Sequence, residues 1–136
     1  MIINRSEKMV KTILVVDDDP GVAQTVKYGL ESLDTEYKVI CVDRGQKCLA
    51  MLESNQIPDI ILLDIMMPEM TGWETREKIK ENQSWTHIPI IFLTARHDHI
   101  AKNAGDFLAD AYIEKPCKIT DLKDTIDKIL KPERTG

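Results

Sequence analysis

Residues 13–20 read ILVVDDDP, a continuous apolar run that ends in three carboxylates and a proline. An apolar run of this kind is typical of a strand buried on both faces of a parallel sheet. Apolar residues then recur at helical spacing from Val22 to Leu33, and Pro20 stands at the entrance of the predicted helix, where proline is tolerated. The stretch therefore predicts a buried strand that leads directly into a helix.

The same strand–helix unit recurs along the chain. Further predicted strands cover residues 37–42, 60–63, 88–93 and 111–113, and further predicted helices cover residues 45–53, 72–81, 97–108 and 119–130. Pro89 falls near the start of a strand, where its missing N–H does least harm. Five such units in a row predict one doubly wound α/β domain, with a parallel sheet, helices on both faces and right-handed crossovers.

Composition narrows the class of function. At 136 residues the chain has room for one domain, and its 43% hydrophobic and 30% charged residues are ordinary for a soluble globular protein. The net charge of -5 argues against a nucleic-acid partner, because phosphate binding needs a concentrated basic face. No apolar run approaches the ~20 residues of a membrane span, so no membrane partner is expected.

The cysteines show no paired spacing; they are Cys41, Cys48 and Cys117. We interpret them as reduced thiols of a cytoplasmic protein rather than as disulfide partners or metal ligands. Residues 1–10 lack a signal-peptide core and are interpreted as an N-terminal tail, with the domain at 11–131 and a C-terminal tail at 132–136. A stand-alone domain is expected, whose output passes through a separate protein.

Polar residues follow four of the five predicted strands; in chain order they are Asp17, Asp18, Asp19, Asp64, Thr94 and Lys115. In an open parallel sheet, sites form beyond the carboxyl ends of the strands, where the strand order reverses. Each residue has a plain structural explanation by itself, and Asp19 before Pro20 is expected to be a helix N-cap. Together they indicate a site, because clustered carboxylates repel unless a cation joins them. Asp43 and Arg44, after the second strand, are expected to lie outside this group.

The donor set indicates the kind of ligand. Oxygen ligands without histidine or cysteine suit a hard cation, Mg2+ by preference. Lys115 would add a second positive charge, and the two cations would hold Asp64 ionised and accept an incoming phosphoryl group. Positioning and charge neutralisation, with little covalent work for the protein, are what phosphoryl transfer requires.

Four stretches stand in fixed order and spacing: residues 14–20 (LVVDDDP), 58–73 (PDIILLDIMMPEMTGW), 92–95 (FLTA) and 112–116 (YIEKP). Together they resemble the receiver domains of response regulators in two-component (phosphorelay) signalling systems, over about residues 11–131. The resemblance implies a flavodoxin-like (βα)5 fold and a phosphoprotein switch rather than a turnover enzyme. It also implies a sensor histidine kinase or phosphotransfer protein as donor, an unidentified downstream protein target, and a monomer or weak dimer.

The resemblance assigns roles around the metal and the acceptor. Asp64 would be the nucleophile that takes the phosphoryl group from a partner's phosphohistidine. Asp18 and Asp64 would bind Mg2+ directly and Asp17 through water. The backbone carbonyl of Met66 would complete the protein ligands.

A second group of residues would act on the phosphoryl group and on the surface beyond it. Thr94 would hydrogen-bond the phosphoryl oxygens, and Lys115 would pair with Asp64 or with its phosphoryl group. Thr94 is expected to pair with Tyr112 on the neighbouring strand, so that Tyr112 turns inward when Thr94 moves toward the phosphoryl group. Lys115–Pro116 occupies the place of a characteristic cis peptide bond.

Departures from the family pattern are few. Leu108 stands where many members carry a glycine, which leaves the shape of the helix predicted at 97–108 open. Met66 and Arg96 occupy positions that influence how long the phosphoryl group survives. His97 and His99 are two residues apart and share no helix face, so a solvated helix start is preferred to a metal site.

Three other functions fit parts of the pattern. An aspartyl-nucleophile phosphohydrolase would share the spacing of Asp17 and Asp19, but Pro20 and Gly21 replace the glycine and the hydroxyl residue of its motif. An interaction module without phosphorylation would have lost the acidic pair, the acceptor or the lysine, and all are present. A flavin-binding electron carrier is suggested by fold analogy alone.

Overall fold

The computed structural model describes residues 10–95 and 111–131. The strands in these ranges are β1 (Lys11–Val16), β2 (Tyr37–Val42), β3 (Ile60–Asp64), β4 (Ile90–Ala95) and β5 (Ala111–Lys115). The helices are α1 (Pro20–Leu33), α2 (Gly45–Glu53), α3 (Gly72–Glu81) and α4 (Ile119–Leu130). The helix predicted at 97–108, with Arg96, His97, His99 and Leu108, lies outside the described residues, as do tail residues 1–9 and 132–136. No helix in the described ranges combines the length and apolar character that a bilayer crossing requires.

All five strands are parallel and lie in the order β2-β1-β3-β4-β5. The chain leaves β1 toward one side for β2 and toward the other side for β3, so the strand order reverses at β1. The predicted doubly wound, flavodoxin-like α/β sheet is confirmed. Val16 is level with Leu63, Asp64 with Leu93, and Ala95 with Lys115. The carboxyl ends of these four strands therefore meet at one edge.

Each face of the sheet carries its own apolar layer, because alternate residues of a strand point to opposite faces. Ile13 and Val15 belong to the layer that includes α1 and α4, whereas Leu14 and Val16 belong to the layer that includes α2 and α3. All four side chains are fully buried. Burial of such a side chain contributes roughly 1.5–3 kcal/mol. Coverage of both faces explains why the strand sequences are uninterrupted apolar runs.

Local sequence sets the starts of two helices. Asp19 caps α1, as predicted, by accepting hydrogen bonds from the N–H of Gly21 at 2.9 Å and of Val22 at 3.3 Å. At the start of α3, Thr71 and Glu74 form a reciprocal capping box. These caps fix where the chain turns from the loops at the carboxyl edge into the helices.

Strand β4 begins at Ile90, two residues later than the sequence predicts. Pro89 has no N–H to give to the ladder, and its carbonyl accepts from the N–H of Ile61 at 3.0 Å. Ile88 instead donates its N–H to the carbonyl of Trp85, 3.1 Å away in the preceding turn. The turn and the proline together delay the strand.

Candidate functional site

The candidate site lies at the carboxyl edge of the sheet, in the crevice where the strand order reverses. Asp17 follows β1 directly, while Asp64 is the last residue of β3 and Lys115 the last residue of β5. Strands β3 and β5 both extend further toward the carboxyl edge than the sequence predicts. The ladder therefore fixes the backbone of Asp64 and Lys115, which places their side chains with little freedom.

Three carboxylates meet in the crevice. One oxygen from each of Asp17, Asp18 and Asp64 lies within 4.8 Å of the others. Asp17 and Asp64 are only 2% and 6% exposed, whereas Asp18 is open to solvent. Carboxylates this close repel one another, and burial weakens the screening by water. The cluster therefore needs compensating positive charge.

Lys115 supplies part of that charge. Its Nζ donates to Asp17 Oδ2 at 2.7 Å and lies 3.4 Å from Asp64 Oδ1. Burial by itself lowers the pKa of Lys115, but the two carboxylates outweigh this effect and raise the pKa above its ordinary value. The sequence predicts that Lys115 pairs with Asp64. In the structure Lys115 contacts both carboxylates, and Asp17 is the nearer one. Asp17 is the more buried of the two carboxylates, so it gains more from a direct ion pair.

The negative charge of Asp64 is only partly compensated by Lys115. Burial and then the charge of Asp17 raise the pKa of Asp64 to about 6, and Lys115 opposes the increase only in part. A carboxylate with this pKa is mostly ionised at neutral pH, but its ionised form is costly. A further cation in the cluster would lower this cost.

The residues present fit a hard divalent cation. All three candidate ligands offer carboxylate oxygens, the donors that Mg2+ prefers, and no histidine or cysteine of the described residues joins them. Asp18 is exposed, which leaves room for the waters that Mg2+ retains. Met66 follows in the loop after β3, with a side chain 63% exposed between the buried Ile65 and Met67. Its carbonyl as a ligand stays a prediction.

Thr94 lies at the same edge with an unsatisfied hydroxyl. Its side chain is fully buried, and its Oγ1 has no hydrogen-bond partner within the part of the chain that the structure describes. Leaving a buried polar group unpaired costs roughly 1–3 kcal/mol. Such a cost is expected where a ligand is meant to provide the partner.

Tyr112 does not lie directly beside Thr94 on the neighbouring strand, where the sequence predicts it. The residue level with Thr94 on β5 is Glu114, while Tyr112 is level with Phe92. Thr94 and Tyr112 are therefore diagonal neighbours on one face rather than a direct pair. Tyr112 is partly buried and packs against the layer that includes α2 and α3. The parallel register decides this offset, which the separate motifs do not reveal.

Two backbone features shape the edge. The Lys115–Pro116 peptide bond is cis. Gly72, at the start of α3, donates its N–H to the carbonyl of Ile65 at 2.8 Å, and a Cβ at this position would lie 2.3 Å from the carbonyl oxygen of Asp64. Only glycine allows α3 to approach Asp64 this closely. Sequence reasoning missed this role, although Gly72 lies within a quoted motif.

Asp43 and Arg44 do not join the carboxylate cluster, but they border it. Asp43 pairs with Arg44 at 3.1 Å and with Lys47 at 3.2 Å. Asp43 and Arg44, together with Asp18 and Glu69, line a small cavity of about 260 Å³. The site thus has a polar flank on the side of β2.

A larger groove flanks the other side of the site. It has a volume of about 460 Å³ and runs between α1 and the segment after β5. Its apolar walls include Val22, Val26 and Pro116, and it is also lined by Lys115, which contacts the carboxylates. No pattern in the sequence indicates this groove, because its walls come from elements far apart in the chain.

Comparison with known proteins places these features in a family. The family model described as "Response regulator receiver domain" matches residues 13–127. Histidine kinase P4 of Formosa agariphila is 35% identical over 127 residues, which are 93% of this chain and 9% of that protein. The alkaline phosphatase synthesis transcriptional regulatory protein PhoP of Bacillus subtilis is 32% identical over 124 residues, 90% of this chain and 50% of its own length. The chain thus spans half or less of these two relatives.

Solved structures show the same likeness. The signal receiver domain of a signal transduction histidine kinase from Syntrophus aciditrophicus matches with a TM-score of 0.78 at 32% sequence identity. The match covers 93% of this chain and 96% of that one. Unlike the full-length relatives, this structure is similar to the present chain over nearly its whole extent.

Proposed function

Since this chain belongs to the response regulator receiver domain family, we propose that it is a phosphorelay switch that accepts a phosphoryl group on Asp64. The receiver would span residues 11–131, from the first residue of β1 to just beyond α4. It would act as a signalling protein that promotes its own phosphorylation and dephosphorylation rather than as a turnover enzyme. A cytoplasmic location would keep its three free cysteines reduced.

One observation supports this proposal above the others. Asp64 is a nearly buried carboxylate that shares one ammonium, Lys115, with a second buried carboxylate, Asp17. A purely structural ion pair would match one acid to one base. Among the described residues, the surplus of negative charge beside the unpaired hydroxyl of Thr94 is the arrangement expected of a site that binds a cation and a phosphoryl group.

In the transfer step, an oxygen of Asp64 attacks phosphorus. The new O–P bond forms as the P–N bond of the donor's phosphohistidine breaks, and the electron pair leaves on the imidazole nitrogen, which is then protonated by solvent. Lys115 would neutralise charge on the phosphoryl oxygens, and Thr94 would donate its hydroxyl to one of them. The resulting hydrogen bond would satisfy a group that is unpaired before the transfer.

Bound Mg2+ would supply the charge neutralisation that phosphoryl transfer needs. Asp18 and Asp64 would hold it directly, with the carbonyl of Met66. Asp17 would act through water, because its Oδ2 is engaged by Lys115 at 2.7 Å and its Oδ1 accepts from the N–H of Asp19 at 2.9 Å. Asp17 thus has little free capacity for a direct metal bond.

The groove beside α1 supports a protein donor. A phosphohistidine on a sensor histidine kinase or phosphotransfer protein must approach Asp64 from outside the sheet edge. Lys115 lines the groove and lies 3.4 Å from Asp64, so a helix seated there would bring a histidine close to Asp64. Exposed Thr25 lies on the same wall, and Tyr28, one turn further along α1, is 68% exposed. Tyr28 would extend the contact.

We expect the position of Thr94 to link phosphorylation of Asp64 to a change in the protein surface. If its hydroxyl turns toward the phosphoryl group, the space it leaves is on the face that Tyr112 shares. Tyr112 could then turn inward and alter the surface near β5 and α4, which a downstream protein would read. Phosphorylation would bias the two packings only through the contacts that differ between them.

The acceptor is tested by incubating the protein with Mg2+ and acetyl phosphate and measuring its mass. The native protein should gain one phosphoryl group and Asp64→Asn none, since asparagine keeps the size but lacks the anionic nucleophile. Asp124→Asn, an exposed carboxylate on α4, is the matched control and should be labelled normally. Equal labelling of the Asp64 variant would refute the proposal.

A further inference from the structure

Strand β2 forms one edge of the sheet, and no strand within residues 10–95 and 111–131 pairs with its outer side. It reads YKVICV, with Lys38 as its single charge and neither glycine nor proline. Strands of this composition at a sheet edge are prone to pair with strands of other molecules. Proline, bulges and inward-pointing charges, which commonly protect such edges, are missing from the sequence of β2.

The backbone of β2 alternates between its two sides. The carbonyl of Val42 accepts from the N–H of Asp17 at 3.1 Å, and the carbonyl of Glu36 accepts from the N–H of Lys11 at 2.7 Å. Even-numbered carbonyls therefore face β1, and the N–H and carbonyl of Val39 face the open side. The outward N–H of Tyr37 is already satisfied by the carbonyl of Asp34 at 3.1 Å.

Two side chains of α1 hydrogen-bond the outward N–H and the outward carbonyl of Val39. Glu31 Oε2 accepts the N–H of Val39 at 2.8 Å, and Lys27 Nζ donates to the carbonyl of Val39 at 2.8 Å. The two side chains lie one helical turn apart and contact each other at 3.1 Å. The hydrogen bond from Val39 is also the largest influence that lowers the pKa of Glu31. An ordinary surface ion pair would not engage both polar groups of a single strand residue.

We propose that the Lys27–Glu31 pair takes the place of a neighbouring strand at Val39 and prevents β2 from pairing with β2 of a second copy of this chain. Antiparallel pairing of two copies centred on Val39 would join their outward N–H and carbonyl groups reciprocally. In that register Lys38 of one copy faces Ile40 of the other, so no like charges oppose each other. The open edge is thus suited to self-association, and the pair from α1 closes it.

The test compares Lys27→Ala/Glu31→Ala with Asp43→Ala/Lys47→Ala by sedimentation velocity over a wide range of protein concentration. Asp43 and Lys47 form an exposed control pair at the same i, i+4 spacing, 3.2 Å apart, beyond the last residue of β2. The Lys27/Glu31 variant should dimerise or associate further, with an apparent dissociation constant at least about tenfold below that of the native protein and the control. The amide of Val39 should become protected from hydrogen exchange in the associated form.

Two further variants keep the test decisive. Glu31→Gln retains an oxygen that can accept from Val39 and should leave the native assembly state unchanged. If the alanine variant does not fold, Lys27→Met/Glu31→Met keeps the packing of both side-chain stems and should associate in its place. The proposal is overturned if the folded double variant associates no more than the native protein. It is equally overturned if the associated form leaves the Val39 amide unprotected.

Discussion

Lys115 binds Asp17 more closely than the proposed acceptor, with its Nζ 2.7 Å from Asp17 Oδ2. The ammonium is consequently committed to Asp17 rather than to the proposed acceptor, and Asp64 receives only its weaker contact at 3.4 Å. Within residues 10–95 and 111–131, the positive charge at the site therefore does not balance the carboxylates. The predictions on pH and metal binding follow from this excess.

The first prediction concerns pH. The pKa of Asp64 is raised from 3.8 to about 6, so between these values the metal-free folded state binds more protons than the unfolded state. The contribution of Asp64 to stability therefore falls as the pH rises through this window. Asp64→Asn removes the cost and should stabilise the metal-free protein at about pH 8 by roughly 2–3 kcal/mol, at ~1.4 kcal/mol per pKa unit.

Urea unfolding with a chelator present measures this effect. The advantage of Asp64→Asn should shrink at about pH 5, where Asp64 of the native protein is largely protonated. Asp124→Asn should show no such trend. An advantage of equal size at both pH values would contradict the raised pKa.

The second prediction concerns the metal. Mg2+ should raise the melting temperature of the native protein, because it binds the folded state and relieves the carboxylate repulsion. Linkage gives about 1.4 kcal/mol at roughly ten times the dissociation constant. Asp18→Ala should abolish most of this response and slow phosphorylation by acetyl phosphate, while Asp43→Ala, a neighbouring carboxylate paired with Arg44 and Lys47, should retain it. A full Mg2+ response in Asp18→Ala would mean that Asp18 is not a ligand.

The third prediction separates signalling from stability at Thr94. Thr94→Val keeps the shape and removes an unpaired hydroxyl, so the unphosphorylated protein should be as stable as the native one or about 1 kcal/mol more stable. Thr75→Val is the control: Thr75 is also fully buried, but its Oγ1 donates to the carbonyl of Thr71 at 2.9 Å, so its loss should destabilise.

Thr94→Val should still accept a phosphoryl group on Asp64, yet the change that follows should be reduced. In the native protein, NMR shifts on adding a phosphoryl mimic should extend from the carboxylates to residues 111–118. In Thr94→Val they should stay near Asp17, Asp18 and Asp64. Shifts of native extent in the variant would show that Thr94 does not link the site to β5.

The fourth prediction concerns the groove. Thr25→Trp places a large ring on the groove wall and should slow transfer from a phosphorylated histidine phosphotransfer domain by about tenfold or more, equivalent to ~1.4 kcal/mol. Phosphorylation by acetyl phosphate, which needs no docking, should be unaffected. Ser32→Trp lies near the other end of α1 and should change neither rate. If Thr25→Trp slows both reactions equally, the groove is not a docking surface.

Much of the site was predictable because its residues follow apolar strands. The positions after β1 and at the ends of β3 and β5 hold the charged side chains, and parallel strands bring such ends to one edge. The predicted start of β4 was wrong by two residues. The apolar pattern continues through Ile88, but the turn that binds its N–H and the missing N–H of Pro89 delay the strand. The role of Gly72 was missed because no pattern in the sequence shows how closely α3 approaches Asp64.

Within the residues that the structure describes, the sequence by itself determined which segments are strands and helices, the doubly wound architecture, and the set of residues at the carboxyl edge. It could do so because apolar periodicity reports which faces of an element are buried. The tertiary structure alone decided that Lys115 favours Asp17, that Thr94 is level with Glu114 rather than Tyr112, and that Lys27 and Glu31 bind the outward backbone groups of Val39. These are distances between atoms that are far apart in the chain, and strand register and helix placement set them only once the whole domain has packed.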